Sequence, residues 1–151
     1  MKNRHFSKSL IYALQGIRDA FSRERNLRFH VAAANVVFVF AWFFGLTRTE
    51  WAVLILTVSA VISAELFNTA VENAVDFTSS QIQPTAKLAK DAAAGAVLCA
   101  AIAAVLVGLC LFLDIVRIAE TIQKMTTQLS GLIACCYLVV ATVLILRKRK
   151  G

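Results

Sequence analysis

The run Glu65-Leu-Phe-Asn68-Thr-Ala-Val-Glu72-Asn-Ala-Val-Asp76 places four oxygen-bearing side chains in an otherwise apolar stretch. Counted from Glu65, their offsets are 0, 3, 7 and 11. On a helix these positions form one stripe about 80° wide. Two glutamates and an amide on one face suit a hard divalent cation. Mg²⁺ favours one or two carboxylates and takes its other oxygens from phosphate and water. A bound cation also relieves the repulsion between neighbouring carboxylates. The bland alternative is a polar seam that glues helices together, but two glutamates are more than glue needs. A second pair, Lys90-Asp91, follows at the head of another apolar stretch. A lysine there can hold phosphate oxygens. Taken alone, the pair reads more simply as a solvated interfacial pair.

The elements that carry these residues are membrane spans. Hydrophobic residues make up 59% of the 151 residues, where soluble domains hold about 45–50%. The mean hydropathy is +0.71. Four apolar stretches stand out: 31–46, 51–75, 95–113 and 131–146. The first and last are short, and Phe29 and Leu129 can extend them. The expected spans are therefore about 29–46, 51–75, 95–113 and 129–146. Trp42 and Trp51 flank the first turn between spans, where aromatic belts form. Pro84 is expected to open the third helix, since proline is tolerated in a first turn. Before the spans, Phe6, Leu10, Leu14, Ile17 and Phe21 recur at helical spacing and define an amphipathic helix over 5–23. Such a helix lies on the membrane surface. The chain is thus expected to be an all-α integral membrane protein.

Depth follows from the 1.5 Å rise. With Trp51 at one boundary, Glu65 lies about 21 Å in and Glu72 about 31 Å in, at the far edge of a core about 30 Å thick. The stripe starts inside one leaflet and emerges at the surface. A lipid headgroup and a water-soluble cosubstrate can meet there. Ionisable groups in a span are costly and mark functional paths.

Charge sets the orientation. Lys2, Arg4, Lys8, Arg18, Arg23, Arg25 and Arg28 precede the first span, and Arg147 to Lys150 follow the last. The first turn holds only Arg48, the second Lys87 and Lys90, the third Arg117 and Lys124. Four spans with both ends in the cytoplasm satisfy the positive-inside rule. Three spans would put the basic tail outside.

Several classes are excluded. The net charge of +7 fits cationic ends facing anionic headgroups. No basic patch is interleaved with aromatics, so nucleic acid is not an expected partner. Neither a Walker A pattern nor GxGxxG occurs. Cys99, Cys110, Cys135 and Cys136 sit in apolar runs without CxxC spacing and read as small hydrophobes. His5 and His30 are too few and too isolated for a zinc site. No cleavable signal peptide is expected, because the first apolar run begins at Val31 behind a long polar segment.

Three blocks together resemble the prokaryotic diacylglycerol kinase family: ERNLRFH at 24–30, ELFNTAVENAVD at 65–76 and AKLAKDAAAGAV at 86–97. The Phe29-His30 form and the AKDAAAGAV wording are similar to the Gram-positive branch, many of whose members phosphorylate undecaprenol. The resemblance covers about residues 6–115. It implies a three-span helical protomer, a homotrimer, and composite active sites at the cytoplasmic surface of a bacterial cell membrane. It implies transfer of the ATP γ-phosphate to a lipid alcohol with Mg²⁺, the acceptor being undecaprenol or, alternatively, diacylglycerol. Carried onto this chain, it makes Glu65 the general base and Glu24 and Glu72 metal ligands. Asn68 lies in the same site, and Lys90 and Asp91 are nucleotide contacts. Asp76 belongs to the signature without an assigned role. Lys8, Gly16 and Arg28 fall in the N-terminal part of the match.

The chain departs from the family after Asp114. The expected division is a kinase domain over 1–115 and an extension over 116–151 with a fourth span at 129–146. From a different class, a small proton-coupled transporter would also use four spans and buried glutamates. It would need neither the Lys-Asp pair nor an amide between the glutamates.

The charge count makes a topological prediction. In a background without other cysteines, Lys150→Cys should resist an impermeant thiol reagent in intact cells and label after permeabilisation. Labelling in intact cells would place the tail outside.

Overall fold

The computed structural model describes residues 3–78 and 84–147, with side chains from Phe6 onward. Six helices make up the described chain. They are α1 (Asn3–Arg23), α2 (Arg25–Phe44), α3 (Arg48–Thr78), α4 (Pro84–Phe112), α5 (Ile115–Thr127) and α6 (Leu129–Leu146). Four of them, α2, α3, α4 and α6, are long and apolar enough to cross a membrane. The chain is an all-α, multi-pass membrane protein. The tail positions 148–150, on which part of the charge argument rests, lie outside the described residues.

The helices outrun the apolar stretches that announce them. α2 starts at Arg25, and α4 starts at Pro84, the proline standing in its first turn. α3 runs unbroken from Arg48 to Thr78, and α4 has 29 residues. At 1.5 Å per residue both exceed 40 Å, roughly 13–16 Å more than the hydrocarbon core needs. Apolarity marks the part of a helix in lipid, whereas backbone hydrogen bonding carries the helix on into the interface.

Large apolar side chains stay exposed along the spans, for example Leu56, Phe67, Leu98, Val105 and Val139. In water this would be a liability, but these faces are suited to acyl chains. The buried core is small and sits at one end of the bundle. Ala41, Phe44, Leu46 and Leu54 are buried there, with Trp51, Phe112 and Ile118 packed around them. Trp51 stacks on Phe38 at 6.2 Å, while Trp42 is exposed. The turn between α2 and α3 depends on Gly45. Its φ of 76° and ψ of 52° are left-handed, a conformation that favours glycine, and its N–H donates to Ala41 O at 3.1 Å.

α1 packs lightly on α2 and α3. Its residues Phe6, Leu10, Leu14 and Ile17 are exposed, which fits the amphipathic face expected to rest on a membrane. A single non-helical residue, Glu24, separates α1 from α2. Arg28 stitches this break. Its guanidinium donates to Phe21 O at 3.3 Å and Ser22 O at 3.0 Å, and the side chain is buried. It meets the free carbonyls at the end of α1. Arg28 therefore has a structural task in this chain.

Two further helices follow α4. Asp114 caps α5 by accepting from Arg117 N–H at 3.0 Å. Arg117 lies over the Phe44 ring at 4.3 Å and donates to Phe44 O and Gly45 O. One cation thus covers the carbonyl end of α2, where a positive charge is favoured. α6 then packs on α2 and α5, and Tyr137 Oη lies 3.2 Å from Asn35 Oδ1. Gly131 allows the close crossing, because a Cβ there would meet the Met125 backbone.

That crossing can be tested. Gly131→Val forces α6 off α5, and overpacking of this kind costs about 1–3 kcal/mol. Detergent-purified protein should melt several degrees lower. An unchanged melt would show that the crossing has slack.

Candidate active site

The stripe on α3 is present, and each of its members meets a defined partner. Glu65 is buried, only 3% exposed. His30 of α2 reaches it, with Nε2 3.1 Å from Oε1. One turn on, Asn68 Nδ2 donates to Glu72 Oε1 at 2.9 Å. At the end of the stripe, Lys90 of α4 donates to Asp76 Oδ1 at 2.7 Å. Three helices therefore converge on one line of side chains. The line runs from the apolar interior to an exposed end.

The backbone beside the stripe is reinforced. Thr69 Oγ1 donates to Glu65 O at 3.0 Å, and Asn73 Nδ2 donates to Thr69 O at 2.8 Å. These bonds satisfy short polar side chains locally, as usual in spans. They leave the Glu65 carboxylate to its contact with His30.

Glu24 and Asp91 are placed differently. Glu24 is half-buried at the α1–α2 break, with φ −87° and ψ 118°, and its carboxylate makes no capping hydrogen bond. Asp91 is exposed on α4 next to Lys90. Lys8 is exposed on α1. Gly16 lines a cavity of about 460 Å³ between α1 and α3, with Arg23, Thr69 and Asn73.

The residues fit a divalent cation at the middle of the stripe. Asn68 Oδ1 is buried and has no hydrogen-bond partner. An orphaned oxygen beside the Glu72 carboxylate is a hard donor set in need of a positive partner. Among the described residues, no group of three or more His, Cys, Asp or Glu side chains forms. Mg²⁺ does not require one, because phosphate and water supply the remaining oxygens.

An apolar trough of about 430 Å³ runs along α2, α3 and α4. His30 and Ile62 line it, as do Leu54 and Phe112 near the buried core. Small residues such as Ala33, Ala101 and Gly108 open its walls. His30 lines the trough and touches Glu65, so one imidazole lies between the trough and the buried carboxylate.

Two features escaped the sequence reading. Sequence puts His30 in the first matched block and excludes a zinc site around it, but does not pair it with Glu65. Hairpin register holds the missed signal. His30 lies about 15 residues before Gly45, and Glu65 about 17 after Arg48. Antiparallel helices sharing that turn bring both to similar depth. Asp76, without a role in sequence, is the residue that holds Lys90.

Comparison with known proteins defines the class. The family profile described as prokaryotic diacylglycerol kinase matches residues 11–112. The chain is 42% identical to the undecaprenol kinase of Bacillus subtilis over 108 residues, which is 72% of this chain and 88% of that protein. It is 48% identical over 106 residues to a diacylglycerol kinase of Synechocystis, covering 70% of this chain and 61% of that protein. A diacylglycerol kinase of Helicobacter pylori is 37% identical over 89 residues, 59% of this chain and 70% of that protein. No solved structure shows a significant match. These relatives are lipid kinases, ATP-dependent phosphotransferases with an alcohol as acceptor. The chain belongs to the prokaryotic diacylglycerol kinase family. It is therefore a membrane-embedded lipid kinase with ATP as cosubstrate, and the transporter alternative falls away.

The Lys90–Asp76 pair carries a prediction. Such an exposed pair adds little stability, but it sets where the Lys90 ammonium stands. If Lys90 holds ATP phosphates, Asp76→Asn should raise the KM for ATP about three- to tenfold and leave the KM for lipid unchanged. An unchanged KM for ATP would show that the pair does not serve the nucleotide.

Proposed function

We propose that the chain transfers the γ-phosphate of ATP to undecaprenol, giving undecaprenyl phosphate, with Mg²⁺ at the cytoplasmic face of a bacterial membrane. The observation that carries this reading is the stripe itself. A buried glutamate touches an imidazole that lines an apolar trough, and carboxylate, amide and ammonium groups follow along the same helix toward the surface. The match over 88% of an undecaprenol kinase supports the polyprenol acceptor. The 48% identity to a diacylglycerol kinase supports the second reading, phosphatidic acid as product.

In this mechanism the lipid chain lies in the trough and brings its hydroxyl to Glu65. The hydroxyl oxygen attacks the γ-phosphorus as the bond to the β–γ bridging oxygen breaks. ADP leaves with that oxygen, and the hydroxyl proton passes to Glu65. Glu72, Asn68 Oδ1 and Glu24 are the groups suited to hold Mg²⁺. When bound, the ion supplies neutralisation of phosphate charge. Lys90 and Asp91 orient the nucleotide. The resemblance implies a homotrimer with composite sites between subunits, and Glu24 at the α1–α2 break is the further carboxylate it assigns to the metal.

Residues 1–115 form the kinase domain, and 116–151 an accessory extension. The packing of α6 on α2 and α5, away from the stripe, supports a peripheral place for it. Four spans and the basic ends support a cytoplasmic N-terminus and C-terminus.

The roles separate by metal dependence. Glu65→Gln should lower kcat about 10²–10⁴-fold, and added Mg²⁺ should not restore it. Glu72→Gln and Glu24→Gln should respond to raised Mg²⁺. The reverse pattern of rescue would exchange the roles. Side-by-side assays with undecaprenol and diacylglycerol test the acceptor, and faster labelling of diacylglycerol would overturn the polyprenol assignment.

A further inference from the structure

We propose that His30 is a positioning residue for phosphoryl transfer, holding the Glu65 carboxylate so that its second oxygen faces the acceptor hydroxyl. This rests on the reading of Glu65 as the proton acceptor.

The geometry isolates His30 in this task. The other polar members of the stripe are engaged elsewhere. Asn68 Nδ2 turns to Glu72, Asp76 receives Lys90, and the Thr69 hydroxyl bonds the Glu65 backbone oxygen. His30 approaches from another helix and meets Oε1 of Glu65 at 3.1 Å. The imidazole is itself held in place. The Phe29 ring packs against it, 5.9 Å between centroids and 75° between planes. His30 also lines the trough between α2, α3 and α4. A carboxylate buried among apolar side chains can rotate about its last bond. A donor fixed to Oε1 from a separate helix removes that freedom. Oε2 is then the oxygen that receives the hydroxyl proton as the new oxygen–phosphorus bond forms and ADP departs.

Imidazole suits this position. An imidazole carrying hydrogen on Nε2 donates one bond to the carboxylate over the 3.1 Å separation. Lysine at the same depth would bring a full charge to the edge of the trough.

The test uses the full chain in mixed micelles with Mg-ATP and the faster of the two lipid acceptors. The variants are His30→Ala, His30→Gln, Glu65→Gln and the double variant His30→Ala/Glu65→Gln. Each is checked by its melting curve. His30→Ala should lower kcat about 10- to 100-fold with the KM for ATP within about twofold. His30→Gln returns an amide donor at similar reach and should recover most of the loss. The double variant should be no slower than Glu65→Gln alone, because a residue acting through Glu65 has nothing left to position. Three outcomes overturn the inference: full turnover in His30→Ala, no recovery in a well-folded His30→Gln, or a double variant more than tenfold slower than Glu65→Gln. Glu65→Gln separates this failure from that of the underlying reading. If that variant keeps wild-type turnover, Glu65 is not the base, and the premise falls with it. If it is inactive while His30→Ala is not, the positioning role alone fails.

Discussion

A carboxylate held among helices in lipid is the constraint around which this molecule is arranged. An isolated charge there is costly, and neighbouring groups must compensate it. Glu65 meets that demand through His30 on α2, and Asp76 meets a lesser version of it through Lys90 on α4. Each contact ties α3 to a different neighbour. The polar line therefore helps to set which faces of α2, α3 and α4 meet. Apolar packing alone would do this poorly, since lipid tails compete with side chains for the same surfaces.

Much of this was legible in the sequence because it depends on local pattern. Helical spacing in 65–76 placed four polar groups on one face, and that face exists. Apolar runs located four spans, and Leu129–Leu146 matches its expectation. The pairings between helices were not legible. Hydropathy says how deep a residue lies but not which neighbour it faces, so His30 read as isolated. Arg117 is a sharper example. In sequence it is one charge in a loop count, whereas in the fold it closes the end of α2. Hydropathy alone stops short of the helix ends, as at Arg25, whereas the polar spacing to Asp76 and the proline at 84 reach them.

α5 and α6 attach by a different logic from the kinase helices. Arg117 of α5 lies over the Phe44 ring and donates to Phe44 O and Gly45 O, Tyr137 of α6 meets Asn35, and Gly131 lets α6 cross α5 closely. None of these contacts involves the stripe.

α3 is a rod without a break. It cannot shorten to follow its surroundings. Glu65 and Asp76 are separated by a fixed rise of about 16 Å, so the height of one against the headgroups sets the height of the other. A bilayer that thins or thickens must be met by tilting the whole rod or by deforming the lipid around it. Either response moves the buried carboxylate relative to the layer where lipid alcohols reside. The helix that carries the polar line is thereby a gauge of membrane thickness.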